Sequence, residues 1–420
     1  MILSFSVENF RSMRSLQVLN LEARSLQHAH PGLSANVAWV GERHEVLKTK
    51  VVYGANASGK SNLLMALSFF NFAVTLSWNP ESEVLPLAEP FALDPGTSQA
   101  ASFFEMRLLA EGVLYRYGFM VSPKGEIEGE WLFGTPGKKE VPYFVRDEEG
   151  IRVSATHLKS VRKLLAAFDD ERKFVSAKSL LLSVLGHFQN EEIGAVYKMI
   201  ARIRIINGAL ATELSDETIL QLLDERQSEK IRAILARADI ELGELRYTVG
   251  MQKLRLPPDE HVTLLGDVIR ERERNLYVRP KNLPKENHFG FPIEGHLSKG
   301  TIKLIQLAGS IIDTLERGDC LIIDEFEARL HTKLSQAIVR MFNSGESNPY
   351  NAQLIVATHD TNLLSPLLMR RDQITFVDKD AEGASSVYSL ADIKGVRDGA
   401  AYEKEYLSGK YGGVPTVNAL

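Results

Sequence analysis

The chain has 420 residues, 44% hydrophobic and 25% charged, which is typical of a globular protein with two or three structural units. Its 49 Lys and Arg residues against 54 Asp and Glu residues give a net charge of −5, so only a local basic face would favour nucleic acid. The single cysteine, Cys320, excludes an intrachain disulfide scaffold and a cysteine-built zinc site. Without a signal-peptide layout or an apolar run of about 18 residues, we expect a cytoplasmic protein with no membrane span.

Residues 1–150 predict an N-terminal lobe. Apolar and polar residues alternate over 3–8, the period of a half-buried strand, and a second short strand covers 50–53. The stretch 62–76 is long and apolar enough for a buried helix. Aromatic and β-branched residues with intervening turn signals over 91–143 predict an antiparallel β segment.

Residues 151–290 predict a mainly helical insertion, which a connector bearing Pro, Asn and Gly at 281–292 brings to an end. Helical patterns run over 157–246. Between residues 155 and 246, 14 Lys and Arg balance 14 Asp and Glu. This balance favours a solvated helical insertion over an arm that grips DNA.

Residues 291–420 predict a C-terminal lobe in which helices and strands alternate again. The helices are expected at 301–316 and 334–342, and the strands at 321–323, 353–358, 373–377 and 386–390. We therefore predict an α/β fold, with a mixed β-sheet flanked by helices, an antiparallel β subdomain and an inserted helical subdomain.

The sequence GANASGKS at residues 54–61 fits G-x-x-x-x-G-K-[ST] between an apolar strand and a helix, the context this motif needs. Its glycines allow the loop N–H groups to converge on phosphate oxygens at a helix N-terminus. We expect Lys60 to reach the β- and γ-phosphates and the Ser61 hydroxyl to bind Mg²⁺. The nucleotide-binding residues predicted here are Gly54, Asn56, Ser58, Gly59, Lys60, Ser61 and Asn62.

A second motif, CLIIDE at residues 320–325, is a largely apolar strand that ends in two carboxylates. Such strands are common, but behind a phosphate-binding loop this one resembles a Walker B strand. Asp324 is then expected to hold Mg²⁺, directly or through water. Glu325 is expected to act as the general base that polarises the attacking water.

Two further candidates lie at the ends of predicted elements. Ser298, Lys299 and Gly300 precede a helix and could form an anion-binding cap, or an ordinary N-cap. The LSKG motif that contains them begins at Leu297, 27 residues before Asp324 and with one predicted helix between, which favours the anion-binding interpretation. His359 follows a buried strand at the position where α/β sheets place ligand sites, so it is a candidate γ-phosphate sensor.

The order of these motifs resembles that of ABC-type ATPases, and the long insertion is similar to the SMC, RecF and OLD branch. The opening NFRS at residues 9–12 resembles the start of that branch. Several segments of the closing half resemble prokaryotic stand-alone ATPases of the abortive-infection type, which occur in anti-phage systems, commonly beside a toxic effector, as in PARIS-like pairs. These segments are DEFEARLH (324–331), AQLIVATHDTNLL (352–364), RRDQI (370–374) and YLSGKYGGVP (406–415).

This resemblance implies an ABC-type P-loop ATPase core that uses ATP and Mg²⁺ at a homodimer or higher homo-oligomer interface. The signature residues Ser298 and Gly300 of one copy would complete the pocket of the other. It also implies an effector partner, a nuclease or toxin encoded nearby, and a phage-derived trigger. Lys299 departs from the glycine of many ABC signatures, which puts the contact with phosphate across the interface in doubt.

Some assignments and functions stay open. Gln99 is the nearest candidate for the Q-loop glutamine of ABC-type ATPases, and Arg11 and Arg14 could contact the nucleotide or be surface residues. The alternative function is a RecF- or SMC-like DNA-repair ATPase that binds DNA directly. A self-contained OLD-type nuclease is not expected, because about 60 residues after His359 leave no room for a nuclease domain.

Overall fold

The computed structural model describes residues 1–26, 31–40, 44–79, 81–168, 174–208, 216–236, 240, 244–251, 272–279, 291–292, 297–397 and 399–414. The chain divides into two compact units, which are residues 1–208 with 314–420, and residues 209–313. Residues 151–208, which the sequence places in the helical insertion, therefore pack within the first unit. The predicted three-part division at 150 and 290 remains a prediction, and residues 281–290 of its connector lie outside the described residues.

A six-stranded sheet in the first unit carries most of the predicted motifs. In spatial order its strands are β11 (Arg204–Asn207), β15 (Cys320–Asp324), β16 (Gln353–Ala357), β5 (Thr49–Tyr53), β17 (Ile374–Lys379) and β18 (Ser385–Ser389). The first five strands are parallel and β18 is antiparallel to its neighbour. Every residue of β5 and β16 is buried, as expected for parallel strands covered on both faces.

One strand of this sheet contradicts the sequence prediction. Residues 204–207 were expected to belong to a helical stretch, but they form β11 and pair with β15, so that Asn207 lies opposite Asp324. The backbone N–H of Gly208 continues this pairing by donating to the Asp324 carbonyl at 2.8 Å. A four-residue edge strand is too short to show its own period, and only the pairing partner reveals it.

The second sheet of the first unit is antiparallel throughout and confirms the predicted β segment. In spatial order its strands are β10 (Gly150–Val153), β9 (Val141–Asp147), β8 (Ile127–Thr135), β7 (Val113–Val121), β6 (Ser102–Ala110), β1 (Ile2–Glu8) and β2 (Gln17–Asn20). Alternate residues of β6 are buried, because one face of the strand is turned to the core. Strands β3 (Val37–Val40) and β4 (His44–Leu47) form a separate hairpin.

Helix α1 (Lys60–Leu76) begins at the end of the phosphate-binding loop, two residues before the predicted start, and contacts both sheets. Phe69 packs on Phe104 of β6 with ring centroids 4.8 Å apart, and Phe70 stacks on Phe119 of β7 at 5.4 Å. Full burial of one such side chain stabilises the fold by about 1.5–3 kcal/mol. The predicted buried helix is confirmed, and it anchors the loop to the core.

The remaining helices of the first unit are α2 (Lys159–Leu165), α3 (Leu181–His187), α4 (Gly194–Ala201), α8 (Thr332–Asn343) and α9 (Tyr402–Leu407). Helices α3 and α4 pack against α1, which explains why this part of the chain belongs to the first unit. Helix α8 confirms the helix predicted at 334–342, and its buried apolar residues are Ile338, Val339 and Phe342.

The second unit contains α5 (Asp216–Leu223), α6 (Glu225–Ala236) and most of α7 (Lys299–Arg317), together with β12 (Glu244–Met251), β13 (Arg272–Arg279) and β14 (Phe291–Pro292). These three strands form an antiparallel sheet. The apolar face of α7 is buried, as its sequence period predicts. Across the described ranges of both units, no helix has the length and apolar character that a membrane crossing requires.

Glu130 of β8 is fully buried and holds the start of α3. Its carboxylate accepts hydrogen bonds from the Tyr117 hydroxyl at 3.0 Å and from the backbone N–H groups of Leu181 and Leu182 at 2.7 and 2.9 Å. The Arg146 guanidinium lies 3.7 Å away. One acidic side chain therefore satisfies the donors of a helix N-terminus and joins it to the antiparallel sheet.

We expect Glu130→Ala to lower the free energy of unfolding by about 3–5 kcal/mol, because the buried N–H groups of Leu181 and Leu182 and the Tyr117 hydroxyl lose their acceptor and the ion pair with Arg146 is lost. Urea denaturation followed by circular dichroism measures this change. Glu128→Ala is the matched control, since Glu128 is exposed on the same strand. Equal unfolding midpoints for the two variants would contradict the role given to Glu130.

Candidate phosphate-binding site

The register of the parallel sheet brings three strand ends to one edge. Strand β16 lies between β15 and β5, with Val356 paired to Ile323 and Ala357 paired to Val52. Because the strands are parallel, the residues that follow them leave the sheet on the same side. The phosphate-binding loop, the pair Asp324 and Glu325, and His359 are therefore neighbours at this edge.

The loop between β5 and α1 requires glycine at both ends of its motif. Gly59 has φ of 108°, and a Cβ atom there would lie 2.2 Å from the Ser385 hydroxyl and 2.7 Å from that of Ser12. A Cβ atom on Gly54 would lie 2.3 Å from the Val377 carbonyl oxygen. Any larger residue would push the loop off its supports, so both glycines are dictated by close backbone approach.

Lys60 and Ser58 give this loop its polar character. The Lys60 ammonium donates to the carbonyl oxygens of Gly54 and Ala55, both at 2.9 Å. Burial lowers the pKa of Lys60, and the nearby carboxylates of Asp324, Glu327 and Glu325 oppose that shift. The buried Ser58 hydroxyl finds no hydrogen-bond partner among the described residues. A bound phosphate would supply an acceptor, so the loop fits an anionic ligand.

Two serines that the sequence did not single out support the loop. The Ser385 hydroxyl donates to the Ser58 carbonyl at 2.6 Å and lies 2.8 Å from the Ser12 hydroxyl. The Asn62 amide donates to that same Ser12 oxygen at 2.8 Å. Ser12 belongs to the NFRS segment, and the resemblance of that segment to the ATPase branch could have identified Ser12 from the sequence. No sequence motif points to Ser385.

A further carboxylate, Glu327, joins the ends of β15 and β16. It accepts hydrogen bonds from the Thr358 hydroxyl at 2.7 Å and from the His359 backbone N–H at 2.8 Å. Glu325, with φ of 49°, is exposed beyond β15, and its N–H donates to the Asp324 carboxylate at 3.0 Å. The turn after β15 thus presents Glu325 outward while Glu327 fixes the turn to the backbone of His359.

The pKa of His359 is lowered below 6.5, first because partial burial disfavours the imidazolium ion and second because of the positive charge of Lys60. The carboxylates of Glu327, Glu325 and Asp324 act in the opposite direction. The imidazole is therefore neutral at pH 7. A neutral ring can donate a hydrogen bond from one nitrogen and accept one at the other.

The C-terminal segment packs on the start of the phosphate-binding loop. The Tyr406 hydroxyl donates to the Gly413 carbonyl at 3.0 Å, and a Cβ atom on Gly413 would lie 3.6 Å from Cα of Gly54. The Tyr406 ring lies 5.7 Å from that of Tyr53, the last residue of β5. The segment YLSGKYGG (406–413) therefore supports the phosphate-binding loop. The sequence of this segment did not predict that contact.

The predicted signature residues lie in the second unit. Ser298 precedes α7, and its hydroxyl accepts a hydrogen bond from the Thr301 N–H at 3.1 Å, the geometry of an N-cap. Ser298 and Lys299 are exposed and Gly300 is half-buried. The helix N-terminus is thus formed and accessible within its own unit, as both an anion-binding cap and an ordinary N-cap require.

Two of the three other candidates, Arg11 and Arg14, form ion pairs. The Arg11 guanidinium pairs with Glu89 at 3.1 Å, and Arg14 pairs with Glu382 and Asp380. Gln99 is exposed in a short 3₁₀ helix. The Asn9 amide fastens that helix by donating to the Thr97 carbonyl at 2.8 Å. A role for Arg11, Arg14 or Gln99 in nucleotide binding remains a prediction.

The donor set at the sheet edge fits a magnesium ion. Among the residues that the structure describes, no three His, Cys, Asp or Glu side chains form a cluster that could hold a metal ion by themselves. Mg²⁺ in nucleotide sites commonly takes one or two protein oxygens and completes its shell with phosphate and water. Ser61 and Asp324 are the two oxygen donors that suit this pattern.

The chain has a glycine-rich loop between a parallel strand and a helix, and carboxylates at the strand ends act on the lysine of that loop. These features place the chain in the class of P-loop ATPases. A family model described as "AAA domain, putative AbiEii toxin, Type IV TA system" matches residues 51–195 and 255–365, more than half of the chain. The chain belongs to this AAA-domain family. No curated protein matches it in sequence.

Solved structures of SMC head domains are similar to the chain. The SMC head of Thermotoga maritima is 13% identical, with 92% of this chain and 98% of that chain covered and a TM-score of 0.42. An SMC head bound to the C-winged-helix domain of ScpA is 17% identical, with 92% and 97% covered and a TM-score of 0.43. A third, with an extended coiled coil, bound to the C-terminal domain of ScpA derived from Pyrococcus furiosus, is 14% identical, with 92% and 96% covered and a TM-score of 0.41.

We expect His359 to titrate with a midpoint below 6.5, and Lys60→Met to raise that midpoint, because the variant removes one of the two causes of the shift. NMR of the imidazole protons across pH 5–8 measures both values, with His359→Gln used to assign the signal. Lys333→Met, which removes an exposed lysine of α8, is the control and should leave the midpoint in place. A midpoint above 6.5, or a midpoint that Lys60→Met does not change, would refute the electrostatic effect of Lys60 and burial on His359.

Proposed function

We propose that the protein is an ABC-type ATPase that binds and hydrolyses ATP with Mg²⁺ at a head-to-tail dimer interface in the cytoplasm. The observation that carries this proposal is the convergence of the phosphate-binding loop, Asp324 with Glu325, and His359 at one edge of the parallel sheet. Membership of the AAA-domain family supports it independently.

Each residue has a role that follows from its placement. The loop N–H groups and Lys60 would hold the β- and γ-phosphates of ATP. Ser61 and Asp324 would hold Mg²⁺, which when bound neutralises negative charge on the phosphates. Glu325 is exposed at the end of β15, where it would accept the proton of the attacking water as general base. His359, neutral at pH 7, would donate a hydrogen bond to the γ-phosphate.

The motif count supports a dimer, because a signature that acts on another copy needs a second chain. The chain has one phosphate-binding loop and one signature, Ser298 to Gly300. The exposed N-terminus of α7 would point its backbone N–H groups at the γ-phosphate held by the second copy. Lys299, in place of the usual glycine, would add a positive charge there. ATP would then hold the two copies together, and its hydrolysis would loosen them.

We infer that this switch controls an effector protein in anti-phage, abortive-infection defence, as in PARIS-like pairs, with a phage component as trigger. The family description, which names a toxin and a toxin–antitoxin system, supports a defence setting. The net charge of −5 and the balanced charge of residues 155–246 favour a protein partner over a DNA backbone. Copurification with a nuclease or toxin from the adjacent gene would identify the effector.

The alternative is an ATPase that acts directly on DNA, as in the RecF and SMC branch. It requires DNA binding that weakens steeply as salt rises, and that ATP enhances. Filter binding at 50 and 200 mM salt, with and without ATP, separates the two functions. Salt-dependent binding that responds to ATP would replace the effector model, while the ATPase site would remain as described.

We expect Glu325→Gln to bind ATP normally and to lose about 10²–10⁴-fold in turnover, because the amide cannot take a proton from water. Phosphate release and ATP binding are measured on the same preparation. Glu346→Gln, which changes an exposed glutamate outside the site, is the control. Unchanged turnover in Glu325→Gln would remove the assigned base.

Mixing two inactive variants tests the shared site. Lys60→Ala loses its own phosphate-binding loop, and Ser298→Arg loses the cap that its partner needs. A mixed dimer has one complete site, so we expect an equal mixture to recover about a quarter of wild-type turnover. The double variant Lys60→Ala/Ser298→Arg mixed with Lys60→Ala should stay inactive. No recovery in the first mixture, or full activity of Ser298→Arg alone, would contradict a site completed across the dimer.

A further inference from the structure

A cavity of about 330 Å³ lies in the first unit, away from the phosphate-binding loop. Strands β2, β5, β17 and β18 enclose it with the segment that follows β18. Ser389 of β18 lines it, whereas Ser385 supports the loop, and the two are four residues apart, or about 13 Å along the strand.

The three carboxylates of this cavity each have a cation of their own. Glu22 pairs with Arg107 at 2.7 Å. Asp372 is bound by Arg370 through contacts of 2.7 and 3.0 Å. Asp392 pairs with Arg24 at 2.5 Å. The negative charges that line the cavity are therefore already compensated.

Lys50 is the cation of the cavity to which the described residues give no carboxylate partner. It is only 2% exposed, and its ammonium donates to the backbone carbonyl of Asp372 at 2.5 Å. An ammonium group carries three N–H donors, so a single carbonyl leaves it capacity for further acceptors. Burial lowers the pKa of Lys50 to about 8, opposed by the charge of Asp372. An oxyanion would compensate this buried charge.

We propose that the cavity is a binding site for a small organic anion, whose phosphate or carboxylate group pairs with Lys50. A volume of about 330 Å³ is at the lower end of small-molecule sites, larger than a single ion needs. Asn20, Thr375 and Ser389 line the remainder with polar groups, and Leu16 and Val18 with apolar ones. This site is separate from the proposed ATP site and does not depend on it.

Equilibrium dialysis with radiolabelled inorganic phosphate tests this proposal. All proteins carry Lys60→Ala, so that the phosphate-binding loop does not contribute. We expect one phosphate per chain, and at least about tenfold weaker binding when Lys50→Met is added, because a charge-assisted contact is lost. Lys48→Met is the matched control, since Lys48 is also buried but does not line the cavity. Equal binding with and without Lys50 would overturn the proposal.

A second variant guards against a failure of Lys50→Met to fold. Val18 lines the cavity and is 43% exposed, so Val18→Trp should fill the cavity while leaving Lys50 and its contacts in place. We expect this variant to lose phosphate binding, and retained binding would refute the site. Unlabelled succinate as competitor separates the two ligand sources. If succinate displaces phosphate, the site binds carboxylates as well as phosphates. If succinate does not displace phosphate, the site binds phosphates and not carboxylates.

Discussion

The pairing of β16 with β15 on one side and β5 on the other is the constraint on which the candidate site depends. It sets Asp324, His359 and the phosphate-binding loop side by side, although in sequence Glu325 is 265 residues and His359 is 299 residues from Lys60. These strands are buried on both faces, so a shift in their register would expose apolar side chains. The edge of the sheet is therefore a rigid base for phosphate chemistry.

Around this base, polar side chains rather than apolar ones fix the relative positions of the segments. Gln353 accepts a hydrogen bond from the Ile2 N–H at 2.6 Å and donates to the carbonyls of Ile2 and Leu47 at 2.9 and 3.1 Å. This one amide joins the parallel sheet to β1 of the antiparallel sheet. Glu327 likewise joins the ends of strands β15 and β16 through its hydrogen bonds to Thr358 and His359. Apolar contacts tolerate small slides, whereas these bonds have defined lengths and directions.

Lys50 in β5 and Lys60 at the start of α1 show how the fold compensates a buried positive charge. Lys60 donates to two backbone carbonyls and has three carboxylates acting on it, whereas Lys50 donates to one backbone carbonyl and has the charge of Asp372 acting on it. Burial disfavours both charges, and each is retained only where an anion or a dipole compensates it. The phosphate-binding loop and the cavity of Lys50 thus each contain a buried lysine whose positive charge must be compensated.

Local patterns in the sequence determined the phosphate-binding loop, strand β15, helix α1 and the antiparallel strands β6 to β9. Each is encoded by contiguous residues whose spacing or period reflects a single element. Tertiary structure alone decided the pairing of β11 with β15, the support of the loop by Ser12 and Ser385, the link from Glu327 to His359, and the packing of Tyr406 and Gly413 on the loop. Ser12 and Ser385 are 373 positions apart. Contacts between residues so distant leave no period in the chain, because they form only when whole elements pack together.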